Sequence, residues 1–320
     1  MMSRLAKLVL AAVCAAVALG ATAQTFPSRA IRVIVPFPAG GTADGIARTV
    51  AQRMSENVGQ AVVVENRSGA NGIVGTEAVA KSTPDGYTLL MAPSGHAINN
   101  SLNANVPYDP IKDFQMLTLI GTVPMVAVVN NAFPVKSIRE LIDTAKAKPG
   151  SISYGSGGPG SSNHLAVELF SSMAGVKMLH IPYKGDTPGI ADLLGGQIQM
   201  IFLNIPSALP LAKSGRVRAI GITSRTRSEL LPDVPTIAET VPGYEAGSWH
   251  GFFAPAGTPP AVVTTLSTEL RRAINTPQVR DKLKADGVNV VASTPDEFTA
   301  FVKAEIDKWA QIIRTANVKL

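Results

Sequence analysis

The chain has 320 residues, 46% of them apolar and 16% charged, with 28 glycines, 23 prolines and a single cysteine. The length allows about two domains. The composition excludes a disordered charged chain, and one cysteine excludes disulfide scaffolds, Cys-rich zinc sites and iron–sulfur clusters. The formal charge of +6 suits anion binding without establishing it.

Arg4 and Lys7, an apolar run from Leu8 to Leu19, and Ala21-Thr22-Ala23 read as a secretory signal peptide, residues 1–23, cut after Ala23. The run is shorter than the ~20 residues of a membrane-spanning helix. Cleavage removes the only cysteine, Cys14, and leaves an exported chain of charge +4 with no further apolar stretch long enough to span a bilayer. In a bacterium such a protein belongs in the periplasm.

Ile31–Val35 reads as a strand. A helix follows from Asp44, with apolar residues at Ile46, Ala47, Val50, Ala51, Met54 and Val58 and a stop at Gly59. Ala61–Val64 is the next strand, Ile73–Lys81 a helix, Pro84-Asp85-Gly86 a turn and Tyr87–Met91 a third strand, a parallel-sheet pattern. It restarts with a strand at Ser151–Tyr154, a Gly/Ser loop and a helix at Ser162–Met173. Strands at Met178–Ile181, Ile198–Phe202 and Val217–Thr223 alternate with helices at Pro188–Leu194 and Pro206–Lys213. The tail is helical at Val262–Ile274, Pro277–Ala285 and Asp296–Thr315, interrupted by a short strand at Val288–Val291.

Ligands of open parallel sheets bind beyond the carboxyl ends of the strands. Those ends are the loops Pro36–Asp44, Ala92–His96, Gly155–Ser161, Pro182–Asp186 and Leu203–Pro206. In the first, Gly40-Gly41 precedes a helix start, which makes an anion cradle of the backbone donors from Gly40 to Ala43. Asp44 would repel an anion and reads instead as structural, pairing with Arg48. Gly155-Ser156-Gly157-Gly158-Pro159-Gly160 matches G-x-G-x-x-G, but Pro159 removes a donor and no acid stands at the required place, so a second anion cradle using Ser156, Ser161 and Ser162 is the better reading. His164, one turn into the following helix, either donates to a ligand or is a buried helix residue. There is no nucleotide P-loop and no nucleophile elbow, the four histidines lack metal-ligand spacing, and the basic residues form no stripe for nucleic acid.

Seven ordered landmarks complete the reading: Pro36–Asp44 with Ala47-Arg48; Val64–Ala70; Pro84–Thr88; Tyr154–Gly157 through His164; Pro182–Gly185; Leu231–Thr236; and Ala254–Pro259. At these the sequence resembles the periplasmic substrate-binding receptors of tripartite tricarboxylate transporters, the Bug family. The resemblance implies an α/β, type II-like periplasmic-binding-protein fold of two doubly wound domains, 24–124 plus 250–320 and 125–249. Two crossing strands, near Gly121–Val126 and Ser248–Phe252, would form the hinge. It implies a monomer without catalysis, metal or cofactor that captures a small carboxylate for membrane permease subunits or a signalling partner. Carried over by position, the ligand contacts are Phe37, Ala39, Gly40, Gly41, Thr42, Ala43 and Ser94 from the first domain, and Ser156, Gly157, Ser161, His164, Tyr183 and Asn204 from the second. An apolar Leu203 and the scarcity of acids favour a ligand without an amine, with Asp186 held by Lys184 or by backbone donors. The alternative is an exported α/β enzyme holding a nucleotide cofactor at 155–160.

Overall fold

The computed structural model describes residues 26–103 and 105–315, so the expected signal peptide lies outside the described residues. The first unit builds strands β1 (Ile31–Val35), β2 (Val62–Asn66) and β3 (Thr88–Pro93) around helices α1 (Thr42–Val58) and α2 (Ile73–Ala80). Strand β1 pairs in parallel with both β2 and β3. Its Ile31, Val33, Ile34 and Val35 are all buried, as expected of a parallel strand covered on both faces. Helix α1 turns Ile46, Ala47, Val50, Ala51 and Met54 inward. It stops where Gly59, at φ 67°, adopts the left-handed conformation and donates to Ser55 O.

Between Met91 and Ser151 the sequence expectations contain only the loop Ala92–His96 and the crossing at Gly121–Val126. The structure adds helix α3 (Gly95–Leu102), a long strand β4 (Phe114–Val129) and helix α4 (Ile138–Ala147). Next come β5 (Ser153–Ser156), α5 (Ser162–Ala174), β6 (Leu179–Pro182), α6 (Asp186–Leu194), β7 (Met200–Asn204), α7 (Ile205–Lys213) and β8 (Arg218–Ile222). The chain returns through β9 (Gly247–Pro255) and ends in α8 (Pro260–Asn275), α9 (Pro277–Ala285), β10 (Asn289–Val290) and α10 (Pro295–Thr315).

The sheet path runs β2-β1-β3-β9-β4-β7-β5-β6, with β10 and β8 also on β4. Strand β4 therefore belongs to two halves. Phe114–Pro124 pairs antiparallel with β9, and Met125–Val129 pairs antiparallel with β7 and β8. The changeover falls at Pro124, whose missing N–H leaves no donor to place. Beyond it the Met125 amide donates to Thr223 Oγ1 at 2.8 Å. Helices cover both faces of each half: α1, α8 and α9 contribute to one core of the first lobe, and α10 to the other through Phe298 and Val302. A small fifth cluster joins the lobes, with Leu165 of α5 packed among Ile98 of α3 and Trp309 and Ile313 of α10.

Candidate ligand-binding cleft

Gly40 in the loop after β1 has φ 82°, a conformation that favours glycine. Its N–H donates to Asp44 Oδ2 at 3.0 Å. Asp44 also accepts from Arg48 Nε at 2.9 Å and from Asn66 Nδ2 at 3.0 Å, while Asn66 Nδ2 reaches Phe37 O as well. Burial acts to raise the Asp44 pKa, but these hydrogen bonds and the Arg48 charge outweigh it and hold the carboxyl below its usual range. The expected structural role of Asp44 is what the geometry shows. It also corrects the cradle: the Gly40 donor is occupied by Asp44. The backbone N–H groups of Gly41, Thr42 and Ala43 meet no acceptor among the described residues, and all three residues line the cleft. They form the positive end of the α1 dipole, a ready anion site.

The second glycine-rich loop meets the expectation of an anion cradle only in part. Four of its amides are engaged internally: Gly157 N with Asn163 Oδ1 at 3.1 Å, Gly158 N with Ser156 Oγ at 3.2 Å, Gly160 N with His164 Nδ1 at 3.1 Å, and Ser161 N with Gly158 O at 3.1 Å. Ser162 lines the cleft as expected, and its N–H and hydroxyl, like the Asn163 N–H, meet no acceptor among the described residues. The Ser156 hydroxyl also meets His180 Nε2 at 2.6 Å, and Ser161 Oγ lies 2.7 Å from both Gly158 O and Asn163 Oδ1. Gly157 and Ser161 line the cleft; Ser156 does not. His164 is buried in a stack with His180, ring centroids 4.0 Å apart, and Tyr154. Burial, then the neighbouring His180, push the His164 pKa down to about 3. A neutral imidazole accepting the Gly160 N–H through Nδ1 sets the loop from behind, so His164 is a structural residue rather than a cleft contact.

Several other expected contacts turn away. The Leu203 side chain is fully buried among Val126, Val128 and Ile205. Successive strand residues face opposite ways, and its neighbour Asn204 is the one that lines the cleft. Tyr183 donates its hydroxyl to Asp192 at 2.7 Å and packs on the second-lobe core. Ala39 is exposed on the loop, and Ser94 is buried behind Ser248, with the two hydroxyls 3.2 Å apart. Phe37 borders the cleft as expected.

The wall facing α1 carries Asp186, at the first position of α6, and Asn163. Asn163 Oδ1 accepts the Gly157 and His164 amides, both at 3.1 Å. Those two donors fix the amide orientation, so Nδ2 faces Asp186 and donates to its Oδ1 at 2.9 Å. Oδ2 of Asp186 has no hydrogen-bond partner among the described residues, and Lys184 is exposed without an ion pair to it. Burial pushes the Asp186 pKa up, with the Asn163 bond opposing. The floor comes from β9, where His250 is 1% exposed and its Nδ1 is unpartnered, as are Oδ1 of Asn204 and Oδ1 of Asn71. Burial lowers the His250 pKa to about 3, so this ring is neutral. Asn71, Asn163, Ser248 and His250 escaped the sequence reading, although Ser248 and His250 stand in the expected second crossing.

The lobes meet over this space. Thr42 Oγ1 and Ser207 Oγ are 2.9 Å apart, and a Cβ on Gly185 would lie 2.8 Å from Pro38 Cδ. The centres of water-sized spheres fit over only about 50 Å³ between them. Two lobes in contact over a small enclosed cleft are the architecture of a solute-binding protein.

Residues 46–318 match the family model "Tripartite tricarboxylate transporter family receptor". Protein BugT of Bordetella pertussis is 39% identical over 309 residues, 96% of this chain and 95% of that protein. Among solved structures, R. palustris Rpa4515 with adipate superposes with a TM-score of 0.89 at 38% identity, over 92% of this chain and 99% of that one. MatC from Rhodopseudomonas palustris with bound malate gives 0.86 at 31% identity, over 90% and 100%. The chain belongs to the tripartite tricarboxylate transporter receptor family.

Proposed function

We propose that this protein is a periplasmic receptor that captures a small carboxylic acid and delivers it to the permease subunits of a tripartite transporter. In this reading residues 1–23 are removed on export after Ala23. The lobes comprise 24–124 plus 250–320 and 125–249, hinged where β4 passes Pro124 and where the chain enters β9. The observation that carries the proposal is the row of unpartnered amides on Gly41, Thr42 and Ala43, facing the opposite lobe across an enclosed cleft. A ligand carboxylate on two or three of them gains about 1.5–3 kcal/mol net per charge-assisted bond. The adipate and malate held by two of the structural relatives are carboxylates of this kind.

The test is a thermal-shift screen of the purified protein against mono-, di- and tricarboxylic acids and amino acids. A ligand at 100 times its Kd adds about 2.7 kcal/mol of stability, a rise of roughly 4 °C for a protein of this size. A panel in which no carboxylate raises Tm, while a sugar or a cation does, would overturn the reading.

A further inference from the structure

Both walls of the cleft carry helix-start amides, but only one also carries a carboxylate. On the α1 side stand backbone donors and a positive dipole end. On the α6 side stands Oδ2 of Asp186 without a partner. Its orientation is imposed: two backbone amides hold Asn163 Oδ1, so Asn163 can only donate to Asp186, and it reaches Oδ1. A second, independent observation shows that the same space awaits a polar ligand. Asn204 and His250 are each at least nine-tenths buried, both border the same small space, and Oδ1 of one and Nδ1 of the other are unpartnered.

No lysine or arginine lines the described cleft. Arg48 is engaged by Asp44 and Asn66, and Lys184 points to solvent. A second ligand carboxylate placed against Asp186 Oδ2 would therefore meet like charge with no cationic side chain to offset it, and only the α5 helix-start amides of Ser162 and Asn163 to turn to, whereas a cation would pair with Oδ2 directly. Burying either charge unpaired is costly, so the pairing discriminates strongly.

We propose that Asp186 is the specificity-determining residue of the cleft, and that it selects a carboxylate that also bears an ammonium group, the carboxylate on the α1 amides and the ammonium on Asp186 Oδ2. The inference rests on the carboxylate-receptor reading and narrows its ligand class. It reverses the expectation drawn from Leu203: that side chain lies in the core, and the acid near the cleft is not neutralised by Lys184.

The test is titration calorimetry on the wild-type protein and on Asp186→Asn with two matched pairs, L-aspartate against succinate and 4-aminobutanoate against butanoate. The wild type is expected to bind the amino-bearing member of at least one pair about ten- to hundredfold more tightly, the range of one charge-assisted hydrogen bond. Asp186→Asn is expected to remove that advantage and to leave the des-amino ligand bound as before or better. Tighter binding of both des-amino acids by the wild type would overturn the proposal while leaving the carboxylate receptor standing. So would an amino preference that survives in Asp186→Asn. Binding of none of the four, with a non-carboxylate giving the only thermal shift, would overturn both. The wild-type comparison decides the matter even if the variant fails to fold.

Discussion

Replacing Gly41 by valine tests the α1 anion site without attacking the fold. Gly41 has φ −84°, which any L residue adopts, and a Cβ there would meet only Pro38 O, at an ordinary 3.7 Å. Stability should thus stay within about 1 kcal/mol of wild type, as for substitutions that create neither strain nor a cavity. The added methyl groups stand where a carboxylate must approach the amides of Thr42 and Ala43. Loss of two charge-assisted bonds at about 1.5–3 kcal/mol each removes about 3–6 kcal/mol, a fall in affinity of about two to four orders of magnitude. Calorimetry with the best carboxylate from the thermal-shift screen reads the affinity, and urea unfolding reads the stability. Unchanged affinity in a variant of unchanged stability would show that the carboxylate sits elsewhere.

Removing the ligand should open the lobes: small-angle scattering should give a larger radius of gyration for the ligand-free protein, and the emission of Trp309, which lies between the lobes, should shift to the red. Identical curves with and without saturating ligand would mean a permanently closed molecule. Acid should destabilise the fold from about pH 6.5 downward. Burial lowers His96 and His180 to about 4 and His164 and His250 to about 3, so the unfolded chain takes up protons that the folded one refuses, and stability is lost as pH falls through that window. At about 1.4 kcal/mol per pH unit for each, the four give an upper limit of about 5.5 kcal/mol per unit, opposed by the raised carboxyl of Asp186. Urea midpoints that stay flat between pH 7 and pH 5 would contradict it.

The elements whose residues repeat with a clean period were legible. β1 has the bounds the sequence implies, and α1, α5 and α9 fall within one or two residues of theirs. β4 was legible only as the crossing near Gly121–Val126; its full reach from Phe114 to Val129 was not, because Gly121 and Pro124 look like strand breakers. In the fold they mark irregularities that the strand survives: a register shift between Leu119 and Gly121, a Gly121 position where any Cβ would collide with Asn289 O, and the change of sheet at Pro124. α4 carries a local signal of its own, with Ser137 capping on Glu140 N and Ile138, Leu141, Ile142 and Ala145 on one face. Within the site, the helix-start donors of α1 were foreseeable from local sequence. The state of the second loop was not, since whether its amides are free depends on where the side chains of Asn163 and His164 fold back. For Asp186 the deciding fact was the direction of Lys184, which tertiary packing alone sets.

Leu165, Ile98, Trp309 and Ile313 touch no ligand, yet they separate whenever α5 parts from α3 and α10. Their apolar contact favours the shut molecule even when nothing is bound, and so sets what fraction of empty receptor is already competent. Apparent affinity scales with that fraction, whatever acid is offered. Trimming Leu165 would weaken every ligand by one common factor and leave the ratios between ligands intact, whereas a change at Asp186 would alter the ratios. Strength of capture and choice of cargo are thereby assigned to different parts of the chain and can change independently.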